Sequence, residues 1–345
     1  MSIWDPVSSE GPKEQEIEDN KALISFLDSV VPLASSQNQT LRKKVFEELQ
    51  SLATRFVHDV AVQQGLADEI VRVAGCKLFA FGSYKLGVIS DSSDMDLLLV
   101  CPKHVTRELF FSVFPKILSE YSASDAVISD MHVISDAQTP VINFRFRDIP
   151  IDLLFARVTQ TALDPKTFSL LDDAILKNLD DKTVRSLNGC RVADVLLTTI
   201  GGGMSGKMEN FRHALRFLKY HAKQRGLYGN AIGMLGGISY AILLVRVVQM
   251  YPQANAVMLV RKFFQVFTRW NWRHPVYLTP IEFKTTEVGF GSLKVWNPRQ
   301  YLADRAHVFP IITPAFPAMC STYNVTNSSK AVILAEWKRA NDILN

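Results

Sequence analysis

The stretch FGSYKLGVISDSSDMDLLLV (81–100) decides the fold of this chain of 345 residues. It continues a short β-like run, KLFAF (77–81), and the Gly82–Ser83 pair predicts a turn that opens a short helix. Backbone N–H groups and the Ser83 hydroxyl at such a turn can hold phosphate oxygens. MDLLLV (95–100) then predicts a second, largely buried strand.

Two carboxylates stand at the start of that strand. Asp94 and Asp96 are two residues apart, so both side chains are expected on one side, opposite Met95, Leu97 and Leu99. A D-x-D pair alone is typical of a solvated strand edge or a turn. Because a glycine–serine turn lies eleven residues upstream, the pair here predicts a site for Mg²⁺.

A third carboxylate, Asp152, interrupts the apolar strand IPIDLLFA (149–156). The preceding strand, VINFRF (141–146), is close enough to predict an antiparallel hairpin, and a helical segment over 105–120 makes the unit mixed α/β. A lone buried aspartate is costly unless a partner compensates its charge. Metal ions shared with Asp94 and Asp96 would do so, since three carboxylates can hold two divalent ions for phosphoryl transfer.

The second half of the chain is predicted to be mostly helical from about residue 187, with helices over 209–224, 238–251 and 257–270. Four basic residues of the first helix are spaced 4, 3 and 4 apart, namely Arg212, Arg216, Lys219 and Lys223. Such a stripe can neutralise a triphosphate or an RNA backbone, although a solvated helix face has the same pattern. Tyr228 and Asn230 can stack on and hydrogen-bond a base, and Gly236–Gly237 permits close backbone approach.

A second phosphate-binding candidate is GGGMSGKM (201–208), which resembles the pattern G-x-x-x-x-G-K-[ST]. Met208 stands where that pattern needs a hydroxyl to bind Mg²⁺. A flexible linker is therefore the favoured interpretation, and a P-loop NTPase that uses Lys207 is the alternative.

Composition excludes several classes of protein. The net charge of +4 permits a polyanionic partner without requiring one. The four cysteines are far apart and contain no C-x-x-C, so neither a zinc site nor a disulfide framework is predicted. Residues 1–20 are polar and acidic, which predicts a loosely held arm rather than a signal peptide, and 20–72 look helical. Glycines and Arg246 interrupt the longest apolar stretch, around 235–248, so no membrane span is expected.

Long ordered segments allow a family to be recognised: FGSYKLGVISDSSDMDLLLVCPKHVTRELFF (81–111), PVINFRFRDIPIDLLFAR (140–157), RSLNGCRVADVLL (185–197), FRHALRFLKYHAKQRGLYGNAIGMLGGISYAILLVRVVQMYPQA (211–254), FFQVFTRWNWRHPVYL (263–278) and PIITPAFPAMCSTYNVT (310–326). They closely resemble the eukaryotic poly(A) polymerases of the polymerase-β-like nucleotidyltransferase superfamily. The RSLNGCRV and YGN–GG segments separate this family from more distant tailing enzymes and from CCA-adding enzymes.

The resemblance implies an α+β fold, in which a nucleotidyltransferase domain with a mixed sheet is joined to a mostly helical central domain. The implied boundaries are an N-terminal arm and helix over 1–45 that packs on the central domain, a catalytic domain over 46–187 and a central domain over 188–345. The family's C-terminal RNA-binding domain is expected to be absent.

The resemblance also implies a reaction, in which AMP is added from ATP to an RNA 3′ end without a template. Two Mg²⁺ or Mn²⁺ ions would be held by Asp94, Asp96 and Asp152, and Asn188 would lie near the RNA 3′ end. The implied nucleotide-binding residues are Phe81, Gly82, Ser83, Ser90, Lys219, Lys223, Tyr228, Asn230, Gly237 and Ile238. Pre-mRNA and proteins of a cleavage and polyadenylation complex are the implied partners, the nucleus is the implied location, and a monomer is expected.

Two further alternatives concern the reaction itself. One is terminal uridylylation or another RNA-tailing nucleotidyltransferase, which uses the same chemistry with another nucleotide. The other is a catalytically dead scaffold, and the presence of all three aspartates argues against it.

Overall fold

The computed structural model describes residues 4–123, 127–201, 205–284, 286–291 and 293–344. The helices are α1 (Glu14–Val30), α2 (Ser36–Gln63), α3 (Asp68–Val73), α4 (Gly82–Leu86), α5 (Arg107–Ser122), α6 (Asp181–Gly201), α7 (Ser205–Gln224), α8 (Gly237–Met250), α9 (Ala256–Arg269), α10 (Leu302–Arg305) and α11 (Asn327–Leu344). The strands are β1 (Lys77–Ala80), β2 (Met95–Cys101), β3 (Ile128–Ile134), β4 (Val141–Phe146) and β5 (Ile149–Arg157). Within the described ranges, none of the helices has the length and apolar character needed to cross a membrane.

The chain forms two compact units. The sheet unit comprises Leu33–Ala193 and Lys284–Leu293, and the helical unit comprises Met1–Pro32, Asp194–Phe283 and Lys294–Asn345. These limits differ from the expected boundaries after residues 45 and 187. Residues 33–45 belong to the sheet unit because α2 buries Arg42 and Val45 there. The sequence did not predict that Lys284–Leu293 belongs to the sheet unit, where Lys284 forms an ion pair with Asp173.

The sheet has the order β1-β2-β5-β4-β3, with β2 and β5 parallel and the other pairs antiparallel. The four predicted strands and the β4–β5 hairpin are confirmed. The hairpin loop places Arg147 and Asp148 at φ 48° and 63°, the left-handed geometry that suits a two-residue turn between twisted strands. The edge strand β3 was missed, because its side chains are mostly exposed and carry no apolar alternation.

The core of the sheet unit lies on one face of the sheet. There α2 contacts β1 and α5 contacts β3 and β5, and the fully buried side chains of Met95, Leu97 and Leu99 belong to the same core. The Phe110 ring stacks on Phe155 with centroids 4.8 Å apart. Each such buried ring contributes roughly 1.5–3 kcal/mol. Because strand side chains alternate, the residues between these apolar positions, including Asp96, point to the opposite face.

The helical unit is built around α9, which contacts α1, α7, α8 and α11. Phe263 of α9 lies against Trp337 of α11 with ring centroids 5.1 Å apart, and both side chains are fully buried. The prediction of a loose arm over residues 1–20 was wrong in part, since α1 begins at Glu14. The segment is not loose there because α1 packs against α9. Asn255, just before α9, donates to the Glu16 carbonyl at 2.9 Å.

Candidate active site

Asp94, Asp96 and Asp152 form one cluster in the sheet unit. Asp96 on β2 stands directly opposite Asp152 on β5 in the parallel register. Asp94 lies one residue before β2 begins, rather than on the strand as expected. One ligand atom from each side chain lies within 4.8 Å of the other two. The predicted convergence of the three carboxylates is therefore confirmed.

The environment of Asp152 fits a cation. Burial raises the pKa of Asp152, the Asn143 hydrogen bond lowers it, and the charge of Asp94 raises it further, so that the net pKa is above its ordinary value. Three carboxylates this close repel one another, and carboxylate oxygens are the ligands that hard divalent cations prefer. The donor set therefore fits a divalent metal ion.

Asn143 orients Asp152. Its Nδ2 donates to Asp152 Oδ1 at 2.5 Å, and the two residues are paired across the β4–β5 hairpin. Sequence reasoning missed this residue. The signal was available, because a polar residue interrupts VINFRF at the hairpin position that faces Asp152.

Gly82 brings the glycine–serine turn against Asp96. The Phe81 amide donates to the Asp96 carbonyl at 3.0 Å, and Gly82 adopts φ +60°. A Cβ atom at Gly82 would lie 1.9 Å from Asp96 Oδ2, so only glycine allows this approach. The turn and the carboxylates thus share one site, and Ser83 is the second residue of α4.

Two other predicted residues lie in the sheet unit. Asn188 is buried on α6, next to Gly189, where a Cβ atom would lie 3.1 Å from the ring of Phe81. This packing places Asn188 close to the start of the glycine–serine turn. Ser90 belongs to the loop before β2, and its hydroxyl lies 3.1 Å from the Ser93 hydroxyl.

The remaining predicted residues lie in the helical unit. Lys223 Nζ is 5.5 Å from the ring centroid of Tyr228, and a Cβ atom at Gly237 would lie 2.8 Å from Tyr228 Oη. Asn230 stands at the start of a 3₁₀ turn. Among the residues that the structure describes, no donor bonds the buried Asn230 Oδ1. Lys219 lies one turn before Lys223 on α7, and Ile238 follows Gly237 on α8.

The predicted basic stripe of α7 is not a continuous one. Arg216 is 5% exposed, and its Nη2 donates to Asp28 Oδ1 and to the Val31 carbonyl, both at 2.9 Å. Its charge therefore secures the end of α1 instead of facing a ligand. Arg212 pairs with Glu209 at 2.7 Å. Lys219 and Lys223 stay predicted phosphate contacts, as the family resemblance implies.

The P-loop candidate gains no structural support. Residues 202–204 of GGGMSGKM lie outside the described residues. Lys207 is in the first turn of α7, and in the described ranges α6 precedes it where a P-loop requires a strand. All four cysteines are buried thiols outside any disulfide.

A carboxylate cluster at the start of β2 and on its parallel neighbour β5, with a glycine–serine turn packed against it, is the arrangement expected of a nucleotidyltransferase domain. A family model described as the poly(A) polymerase nucleotidyltransferase domain matches residues 3–200, and one described as the poly(A) polymerase central domain matches residues 210–345. The chain belongs to the poly(A) polymerase family.

Curated relatives agree with this assignment. Poly(A) polymerase PAPalpha of Candida albicans is 42% identical over 99% of this chain and 59% of its own length. Poly(A) polymerase pla1 of Schizosaccharomyces pombe is 39% identical over 99% and 58%, and nuclear poly(A) polymerase 1 of Arabidopsis thaliana is 37% identical over 99% and 46%. The chain thus spans less than two thirds of the length of these relatives.

Solved structures confirm the predicted polymerase-β-like fold. A structure of Cid1 in complex with the UTP analogue UMPNPP has a TM-score of 0.63 and covers 96% of this chain and 95% of its own. The two sequences are 12% identical, so the likeness concerns the fold alone.

Proposed function

We propose that this chain catalyses template-independent transfer of AMP from ATP to the 3′ end of an RNA, with release of pyrophosphate. The observation that carries the proposal is the cluster of Asp94, Asp96 and Asp152 in a member of the poly(A) polymerase family. In this reaction the RNA 3′-hydroxyl attacks the α-phosphate of ATP. Catalysis of phosphoryl transfer rests mainly on positioning and on neutralising charge.

The three aspartates would hold two divalent ions, either Mg²⁺ or Mn²⁺. When bound, such ions promote deprotonation of the attacking hydroxyl and neutralise charge on the leaving pyrophosphate. The chain's own contribution is to fix the carboxylates. Sheet pairing sets Asp96 opposite Asp152, Asn143 holds the Asp152 side chain, and Gly82 admits the glycine–serine turn beside Asp96.

Residues beyond the carboxylate cluster would contact the nucleotide and the RNA. Tyr228 offers a ring for the adenine to stack on, and Asn230 Oδ1 is a buried acceptor suited to the adenine 6-amino group. The other proposed nucleotide contacts are Phe81, Gly82, Ser83, Ser90, Lys219, Lys223, Gly237 and Ile238. Asn188 would contact the RNA 3′ end.

The names of the relatives support a proposal about the RNA and the location. Several are named nuclear poly(A) polymerases. We therefore propose nuclear RNA, in particular pre-mRNA, as the substrate. Proteins of a cleavage and polyadenylation complex as partners and a monomeric chain are further proposals, which rest on the family resemblance.

The test is extension of an oligo(A) primer by the purified chain with Mn²⁺ and each of ATP, UTP, CTP and GTP in separate reactions. We expect a ladder of products with ATP and at most single additions with the other nucleotides. Equal or better extension with UTP would assign the chain to terminal uridylylation and refute adenylyl transfer.

A further inference from the structure

The loop Ser90–Asp94 connects the turn after α4 to β2, and it contains no helix or strand residue. Four of its five carbonyl oxygens bond the same side chain, that of Arg42 in α2. Arg42 is 0% exposed and lies 48 to 52 residues away from these partners in sequence. The loop is thus built around a buried guanidinium.

All three nitrogen atoms of the guanidinium group donate hydrogen bonds. Nη2 donates to the carbonyls of Ser90 at 3.4 Å, Asp91 at 3.2 Å and Ser93, and Nη1 donates to the carbonyl of Asp94 at 3.4 Å. Nε donates to Asn38 Oδ1 at 2.6 Å. A planar group with five fixed donors can hold several carbonyls in one arrangement, whereas a lysine ammonium cannot reproduce it.

The loop needs such an anchor because of what it carries. The backbones of Asp96 and Asp152 are fixed by hydrogen bonding between β2 and β5. Asp94 stands outside the sheet, and its position depends on the loop that leads to it. Its carbonyl is one of those that Arg42 holds, so the contact reaches the backbone of a proposed metal ligand directly.

The choice of a buried arginine is costly, which argues for a specific role. Burial lowers the pKa of Arg42, and the nearby charges of Tyr84, Asp94 and Asp91 act in the opposite direction. An apolar residue would suit the same stripe of α2, where Val45, Leu49, Leu52 and Phe56 are all buried. The arginine replaces one apolar contact with a set of bonds to a single loop.

We propose that Arg42 is the positioning residue for Asp94, which it holds in reach of Asp96 and Asp152 by clamping the backbone of Ser90–Asp94. The inference rests on the proposed function of these aspartates as metal ligands. It predicts that loss of the clamp impairs metal binding and catalysis by more than the accompanying loss of stability explains.

The test compares Arg42→Gln, Arg42→Lys and Asn38→Ala with Leu49→Ala in the full chain. Leu49 is a buried residue of the same helix outside the clamp, so its variant controls for lost stability. The Asn38→Ala variant removes the acceptor that Arg42 Nε bonds and leaves the buried arginine in place. If the Arg42 variants fail to fold, Asn38→Ala provides the test instead. The readouts are Mn²⁺ affinity from the paramagnetic resonance of free Mn²⁺, melting temperature, and kcat and KM for primer extension.

We expect Arg42→Gln to weaken Mn²⁺ binding roughly 10–100-fold, the range found when groups that orient metal ligands are removed. Arg42→Lys should recover part of this loss, and Asn38→Ala should show a smaller loss in the same direction. In each, kcat should fall while KM for the primer stays unchanged. Leu49→Ala should lower the melting temperature and keep wild-type Mn²⁺ affinity.

Wild-type Mn²⁺ affinity in Arg42→Gln, or in Asn38→Ala if the former does not fold, would overturn the proposal. The proposal would also be overturned if Leu49→Ala lost as much Mn²⁺ affinity as Arg42→Gln at the same melting temperature. The Mn²⁺ titration also separates this inference from the proposed function. A wild-type chain that binds Mn²⁺ through Asp94 but extends no RNA would refute adenylyl transfer, and the clamp would still be judged by metal affinity.

Discussion

Replacing Gly82 with alanine should separate catalysis from folding. The added Cβ atom would lie 1.9 Å from Asp96 Oδ2 and 2.7 Å from Asp96 Cγ. An ordinary carbon–oxygen contact needs about 3.3 Å, so the carboxylate or the turn must move by more than ~1 Å. A misplacement of this size at reacting groups costs on the order of 10²-fold in rate.

The effect on the free energy of unfolding should be smaller than the effect on the activation barrier. Gly82 has φ +60°, and a left-handed alanine costs roughly 1–2 kcal/mol. We therefore expect Gly82→Ala to lose about 100-fold in kcat for primer extension while its free energy of unfolding falls by about 1–2 kcal/mol. Single-nucleotide addition under saturating ATP and primer measures the first quantity, and urea denaturation measures the second.

Gly65 provides a matched control. It has φ +65° in the same unit, and a Cβ atom there would meet no atom within 4 Å. Gly65→Ala should therefore lose a similar amount of stability and retain wild-type kcat. Wild-type kcat in Gly82→Ala, or equal losses of kcat in both variants, would refute the role assigned to the close approach between the turn and Asp96.

Further predictions concern the base pocket and one ion pair. Gly237→Ala should raise the KM for ATP by up to about tenfold with kcat unchanged, since its Cβ atom would lie 2.8 Å from Tyr228 Oη; an unchanged KM would contradict this. Asn230→Ala should weaken ATP about fivefold through the lost acceptor, and equal weakening of GTP and ATP would argue against adenine recognition. Burial raises the pKa of Asp180, but bonds from Thr183 and Arg107 lower it to about 2. Because this pKa is below the unfolded value, the pair stabilises the fold above about pH 4 and the effect is lost as pH falls toward 2. Because Asp180 is 47% exposed, the ion pair contributes only ~1 kcal/mol to the free energy of unfolding. The stability of Asp180→Asn should lack this pH-dependent contribution in an acid denaturation experiment. A pH profile equal to that of the wild type would contradict the assignment.

Much of the catalytic architecture could be predicted from short-range pattern. The alternation of Asp94, Met95, Asp96 and Leu97 and the single polar residue in the apolar run 149–156 identify the carboxylates, because a strand exposes alternate side chains. The pairing of β2 with β5 could not be read in the same way. A helix and a hairpin separate them, and local sequence does not set the register of parallel strands.

The errors on two arginines share a physical cause. The spacing of α7 placed Arg216 on a basic stripe, but its partner Asp28 lies 188 residues away in sequence. Arg42 was passed over for the same reason, since its partners belong to another segment. A sequence pattern shows which face of an element a residue occupies, and only tertiary packing shows what that face meets.

The most direct test of the central claim is single-turnover addition of one AMP to an RNA primer by Asp152→Asn, with Asp148→Asn as control. Both changes remove one negative charge from the same hairpin, but Asp148 is exposed in its loop and Asp152 belongs to the carboxylate cluster. We expect Asp148→Asn to retain the wild-type rate and Asp152→Asn to lose about 10²–10³-fold, as removal of a group that stabilises charge in the transition state does. An Asp152→Asn chain that adds AMP at the wild-type rate would contradict the assignment of the three aspartates as the catalytic site.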